Sequence, residues 1–480
     1  MPQPIKNVAK KKTYKIGLVD ADLLCNGTRH PNLALLKIAG YLRDNDFVRK
    51  SEATSEKVNT YELLTNDSNF DDLGTFDHIY VSVVFSFTYD DPPALLSYLM
   101  NKRELKKKVH IGGTGDYANF SIEQGFVDCR KADMERLPND KFLNSFVNKS
   151  GTNGIDMRIQ MPDYHLYDEY IAVMETVKAS STYFKDYKEY SIGFLTRGCF
   201  RQCPFCVNKL EKKVMQYSPL ESFYDPSRKY IYLWDDNFLA TPHKGWKPML
   251  EQLMATNKPF QFRQGLDERM IAQSPDGEEM AQMLSKAKYH GDFIFAFDNW
   301  EDRPIIEKAL KIWKHYCPNK GTKFYLFCGF KQTTTDKERL YQDVWEIFQR
   351  IKILMQYGCV GYIMRHEDYH QSPLENIYVQ LARWCNQQQF YKKMSFWEFC
   401  YRNQTYWEEK YFKEKIKKPI KTYDEFMEDY QRGYYSGERK VNRSLQTALD
   451  FIALFPDRKD KILEMYNLKM NELKDPALWQ

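Results

Sequence analysis

Thr196-Arg197-Gly198-Cys199-Phe200-Arg201-Gln202-Cys203-Pro204-Phe205-Cys206 carries three cysteines at spacings of four and three, C-x3-C-x2-C, directly after the apolar run Ser191-Ile192-Gly193-Phe194-Leu195. Thiolates held this close repel one another unless a cation or cluster neutralises them. The pattern therefore points to a metal centre formed by Cys199, Cys203 and Cys206. Iron–sulfur clusters are commonly held by four cysteines, and closed zinc sites by four nitrogen or sulfur ligands. The local motif supplies only three. Either a distant residue completes the set, as in a zinc knuckle, or one coordination position is left for a group other than protein. Three ordinary buried thiols are the plainest alternative.

The cysteine spacing, the strand-like run before it and the aromatic Phe205 before the last cysteine resemble the radical S-adenosylmethionine (SAM) superfamily. The resemblance implies that the three cysteines hold a [4Fe-4S] cluster whose free iron chelates the amino and carboxylate groups of SAM. It implies a flavodoxin or ferredoxin as electron donor, and reductive cleavage of SAM to methionine and a 5′-deoxyadenosyl radical. That radical abstracts hydrogen from a substrate the sequence does not identify. It also places Phe205 among the cofactor-binding residues.

Composition is compatible with such an enzyme. The chain has 480 residues, 43% hydrophobic and 28% charged, which are ordinary globular values and allow two to four domains. A formal net charge of +5 makes no general case for a nucleic-acid partner. No apolar stretch is long enough for a membrane span, and the polar start, ending in Lys10-Lys11-Lys12, lacks the apolar segment of a signal peptide. The ten cysteines are then expected to be reduced and the protein cytoplasmic. Cys25, Cys129, Cys317, Cys328, Cys359, Cys385 and Cys400 form no C-x2-C pair, so a second cluster has no local support.

The fold class read from the pattern is α/β, in four parts. Residues 1–150 alternate strand and helix signals: strands at 14–20, 58–64 and 77–85, helices at 32–42 and from Pro92 or Pro93 to Lys106, and a strand-end turn at Gly112-Gly113-Thr114-Gly115. That alternation predicts a doubly wound, Rossmann-like parallel sheet. It looks like the cobalamin-binding-type domain of many radical SAM relatives, so cobalamin is a possible cofactor. However, the loop around His30 lacks D-x-H-x-x-G. The glycine-rich turn fits no phosphate-loop motif and reads as a tight turn. Residues 151–190 are a linker after the turn-rich Lys149-Ser150-Gly151-Thr152-Asn153-Gly154. Residues 191–380 carry strand signals at 192–196, 230–234, 260–264, 293–298, 324–329 and 361–364, which predict an open, partial (β/α)6 barrel, as the resemblance also implies. Residues 381–480 are a helical C-terminal extension.

In β/α barrels the chemistry collects at the C-terminal strand ends. The second strand ends in Asp235-Asp236-Asn237, where relatives meet the SAM amino group; capping of the next helix is the structural alternative. The third ends in Arg263-Gln264, and Arg263 there can form a bidentate fork with a SAM carboxylate or simply be solvated. The fourth ends at Asp298, positioned for ribose hydroxyls or substrate. Cys328 reads as a core thiol.

Two further patterns invite other functions. His366-Glu367-Asp368-Tyr369-His370 matches the zinc-protease signature H-E-x-x-H, but it follows a strand and precedes Pro373, so a loop is expected and the protease reading is rejected. Lys410, Lys413, Lys415, Lys417, Lys418 and Lys421, interleaved with Tyr411 and Phe412, can form a nucleic-acid surface, although Glu408, Glu409 and Glu414 dilute it. The alternatives to a hydrogen-abstracting radical SAM enzyme are thus a cobalamin-dependent radical SAM methyltransferase and a non-catalytic iron–sulfur RNA-binding protein.

Overall fold

The computed structural model describes residues 12–113, 140–145, 155–177, 183–206, 208, 211–330, 334–413 and 419–480. Thr114, Gly115, Cys129, the break at 149–154 and Lys415, Lys417 and Lys418 lie outside the described residues. The chain is α/β, and nearly all of its strands are parallel.

The first unit is a five-stranded parallel sheet. Strands β1 (Lys15–Asp20), β2 (Phe47–Arg49), β3 (Asn59–Leu63), β4 (His78–Ser82) and β5 (Val109–Gly112) stand in the order β2-β3-β1-β4-β5. Central β1 and β4 are buried almost throughout, as near-continuous apolar strands of parallel sheets are. The short edge strand β2 is not anticipated from the sequence, because three residues flanked by charges carry no periodicity. After β1 the helix Leu33–Asp44 starts at Asn32, whose side chain accepts from the Leu35 N–H at 3.2 Å. The helix expected up to Lys106 ends at Asn101, because Lys102 is extended, and resumes as the 3-10 turn Arg103–Leu105.

The stretch read as a linker is well packed against this sheet. Tyr164, Tyr167, Ile171, Phe184 and Tyr187 bury in one cluster with Ile16, Leu18 and Leu35. It also bonds the first unit to the second. The Tyr164 hydroxyl donates to the Phe223 carbonyl at 2.7 Å and accepts from the Ile192 N–H at 2.7 Å. Buried Arg228 donates to the carbonyls of Tyr164, Tyr187 and Tyr190 at 2.9, 2.7 and 3.1 Å.

The second unit contains all six strands expected after residue 191. They are β6 (Tyr190–Gly193), β9 (Tyr230–Leu233), β10 (Phe260–Phe262), β11 (Phe293–Ala296), β12 (Thr322–Cys328) and β13 (Val360–Arg365); a small antiparallel pair, β7 (Thr196–Arg197) and β8 (Met215–Gln216), follows β6. The six pair in parallel as two sheets, β6-β9-β10 and β11-β12-β13. A bridge between Phe260 and Tyr289 and the bond from Leu266 N–H to the Ile294 carbonyl at 2.8 Å join their edges, so the strands run in chain order. Helices cover the outer face, and the largest apolar core lies beneath them, with Trp246, Leu250, Trp313, Ile347 and Ile351 as members. The C-terminal helices join this same core through Trp384, Phe396, Phe451 and Tyr466. Helix Phe396–Phe412 carries a capping box of Ser395 and Glu398. Among the described residues no helix is long and apolar enough to cross a membrane.

At the end of β1, Asp20 is buried and accepts from the Leu23 N–H at 3.2 Å and the Tyr167 hydroxyl at 2.8 Å. Burial pushes its carboxyl up to about 7, against the pull of those bonds. A folded-state pKa above the unfolded one contributes stability that is complete below the unfolded value and fades as pH rises through the folded value. The thermal midpoint is therefore expected to fall as pH rises from roughly 4 to roughly 7. Asp20→Asn, which imitates the neutral acid, should flatten that slope when midpoints are followed by circular dichroism across the range; an unaltered slope would contradict the assignment.

Candidate functional site

The cysteine loop begins where β6 stops, and an acid from the neighbouring strand stops it. Asp235, two residues beyond the end of β9, is buried and accepts from the N–H groups of Leu195 and Thr196 at 3.2 and 2.6 Å and from the Thr196 hydroxyl at 2.6 Å. Burial pushes its carboxyl up to about 7, while the Thr196 and Leu195 bonds act downward. Asp236 accepts from the Gly198 N–H at 2.8 Å. Gly198 has φ +97°, and a Cβ there would stand 2.0 Å from the Lys213 carbonyl oxygen, so only glycine fits. The Cys199 N–H then donates to the Glu211 carbonyl at 2.9 Å, and the Cys206 N–H to that of Cys203 at 3.0 Å. Asp235 and Asp236 thus bond backward onto the loop, and neither caps the turn that follows.

Asn237 connects this loop to β10. Its amide N–H donates to Cys199 Sγ at 3.4 Å and to Asp267 Oδ2 at 3.1 Å. Its own oxygen is buried without a partner among the described residues. Asp267 receives Arg201 Nε at 2.6 Å and Arg269 Nε at 2.8 Å, and Arg269 continues to Asp302 at 3.0 Å. Burial alone would raise Asp267; the two guanidiniums outweigh it and hold the carboxylate below its usual range. Arg201 also donates to Gln273 at 2.8 Å, which pins the segment between Cys199 and Cys203 to the helix Arg269–Gln273. This network is not visible in the sequence. Arg201 is one of the three residues between Cys199 and Cys203, and Asp267 reads as a helix start.

The other expected site residues divide into two groups. Phe205 lies against Phe327 from the end of β12, ring centroids 3.9 Å apart, and Phe330 is 6.1 Å away. Asp298 faces the same region: burial pushes it up to about 6, against Arg350 and Arg269, and its charge reaches Cys203. Arg263 turns elsewhere, its guanidinium 4.9 Å above the Tyr232 ring. Gln264 is exposed. Beyond β13, the H-E-x-x-H pattern forms the 3-10 turn Glu367–Gln371, with His366 Nδ1 accepting from the Asp368 N–H at 3.2 Å. The histidines therefore do not share an α-helical face.

The three loop cysteines are half-buried. Burial pushes the Cys203 thiol up, Arg269 opposes this, and Asp298, Cys206 and Cys199 reinforce it. A bound cation would remove that penalty. Among the described residues no three His, Cys, Asp or Glu side chains form a ready-made metal cage. The fit to a thiolate-held cluster therefore rests on the three sulfur donors of one loop, the Asn237 N–H on Cys199 and the unpartnered Asn237 oxygen beside them. No protein-family model matches the chain, and no curated protein matches it.

Cys317, Cys328, Cys359, Cys385 and Cys400 are buried; burial raises all five thiols, those of Cys317 and Cys359 to about 12. In metal-free protein, iodoacetamide at neutral pH is expected to label Cys199, Cys203 and Cys206 first, and these five only after denaturation. Peptide mass spectrometry reads this order, and native labelling of Cys400 as fast as Cys199 would contradict it.

Proposed function

We propose that this protein is a radical SAM enzyme, with Cys199, Cys203 and Cys206 holding a [4Fe-4S] cluster that leaves one iron for SAM. The observation that carries the reading is the setting of the cysteine loop. It leaves the first of six parallel strands that follow one another in chain order, and acids from the end of the second strand hold it there. In this reading the six strands form an open (β/α)6 barrel, and the N-terminal sheet is a Rossmann-like unit. When bound and reduced by a flavodoxin or ferredoxin, the cluster would supply one electron to the SAM sulfonium, whose C–S cleavage gives methionine and the 5′-deoxyadenosyl radical for hydrogen abstraction.

The chain's own residues do the positioning. Asp235 and Asp236 fix the loop backbone, and Asn237 donates to Cys199 and offers its free oxygen to a ligand amino group. Phe205 and Phe327 form an apolar wall that excludes water. Asp298, whose carboxyl burial pushes up to about 6, offers an acceptor to the hydroxyls of a ligand. Cobalamin-dependent methyl transfer is the alternative that the parallel N-terminal sheet favours, and corrinoid retained after purification from cobalamin-supplied cells is its test.

Anaerobic reconstitution with iron and sulfide, followed by reduction with SAM, is expected to yield 5′-deoxyadenosine from the wild type and none from Cys203→Ala. Equal product from the two proteins would remove the proposal. Asp235→Ala leaves two backbone N–H groups unsatisfied, at a cost of about 1–3 kcal/mol each; its iron content after reconstitution is expected to fall to less than half of wild type.

A further inference from the structure

We infer that Arg263, Trp234 and Tyr232, closed over by His30 of the N-terminal unit, form a binding site for the carboxylate or phosphate group of the substrate. Calling that ligand the substrate rests on the function proposed above; the anion site itself does not.

The site follows from strand register. Phe262 pairs with Leu233 across β10 and β9, and the Arg263 N–H continues the ladder onto the Leu233 carbonyl at 2.7 Å. Arg263 and Trp234 are therefore neighbours one residue past their strand ends. Alternation puts both on the face that carries Tyr232, opposite the helix-covered core. Arg263 lies over the Tyr232 ring at 4.9 Å, a stacking that orients the fork without using its N–H donors. Among the described residues the guanidinium makes no hydrogen bond. Its closest carboxylate oxygen, on Asp186, is 3.9 Å away, beyond hydrogen-bond reach. The Trp234 indole N–H is buried and has no partner among the described residues. Buried polar groups are normally paired, so an indole without a partner beside a guanidinium held only by a 3.9 Å ion pair to Asp186 marks a place where a ligand supplies the acceptor.

The N-terminal unit closes the other side. His30 meets Trp234 edge-on, ring centroids 5.0 Å apart, and its Nδ1 bonds Asp186 at 2.9 Å. Asp186 thus meets the imidazole at hydrogen-bond distance and Arg263 only at ion-pair distance, which leaves the guanidinium N–H groups for a ligand. A planar fork plus an adjacent N–H suits a two-oxygen anion, which a carboxylate and a phosphate both present. Tyr232 and Trp234 supply apolar walls for the group that carries it. The ligand class is therefore a small molecule with one such anion attached to an apolar or aromatic body.

Calorimetric titration of the full-length protein with benzoate, phenyl phosphate and phenol tests the site without any turnover. Wild type is expected to bind at least one of the two anions and to bind phenol much more weakly; which anion binds decides between carboxylate and phosphate. Arg263→Gln should weaken anion binding at least about tenfold, with Arg263→Lys intermediate because charge without the fork is retained. Trp234→Phe, which removes the N–H and keeps an aromatic ring of smaller area, serves if Arg263→Gln does not fold, and should also weaken the anion. Probe binding through Arg263 in a protein that makes no 5′-deoxyadenosine would uphold this site while removing the radical SAM reading. Failure of both anions to bind the wild type overturns the proposal. So does a loss of SAM affinity in Arg263→Gln with benzoate affinity intact, which would give Arg263 to SAM.

Discussion

The carboxylate of Asp235 is the interaction on which the candidate site depends. Chain leaving a parallel strand must satisfy its backbone N–H groups or turn toward water. Here one buried acid takes the N–H of Leu195, the N–H of Thr196 and the Thr196 hydroxyl. Since the acid belongs to the strand beside β6, the loop's path is set only once β6 and β9 have paired, with Gly193 opposite Leu233. Burying a carboxyl is costly, and its pKa rises accordingly. The three bonds offset that cost and yield a rigid reversal that delivers Cys199 to the strand end.

Around the loop, charge is arranged by position and not by residue type. Asp267 and Glu268 are adjacent in sequence, yet their environments push them in opposite directions. Asp267 lies between Arg201 and Arg269 and is held ionised. Glu268 is buried and accepts the Ala296 N–H on one oxygen, and burial, reinforced by Asp267, raises it well above its ordinary range. The ionised partner ties Asn237, Arg201 and Arg269 into one unit. That unit carries the constraint from β9 to the cysteine loop and on to β10.

The N-terminal unit is bolted to the strand array at two levels. Tyr164 and Arg228 satisfy backbone groups near the starts of β6 and β9, where a missing partner would leave buried carbonyls bare. At the opposite ends, His30 and Asp186 meet Trp234 and Arg263. The surface between these contacts is lined by Tyr190, Ile192 and Tyr232, so a molecule entering from the strand ends meets residues of both units.

Periodicity and local chemistry made much of this legible in the sequence alone. Continuous apolar runs such as 230–233 and 293–296 declared buried parallel strands, the C-x3-C-x2-C spacing declared a thiolate loop, and its place after a strand put that loop at a strand end. The proline and the preceding strand kept His366 and His370 off an α-helix. What the sequence left undetermined depends on contacts between distant segments. The three-residue strand β2 has no period to read. Asp235 and Asp236 look like cap residues until strand pairing aims them at the loop, and Arg201 and Asp267 are 66 residues apart before their ion pair forms. Arg263 read as a possible SAM ligand, and only the register of β10 against β9 set it on Tyr232 beside His30. Sequence by itself determined which segments become strands and where the thiols lie, because those follow from burial and spacing along the chain. Tertiary structure alone decided which polar groups are satisfied and which remain open, because a hydrogen bond depends on position in space.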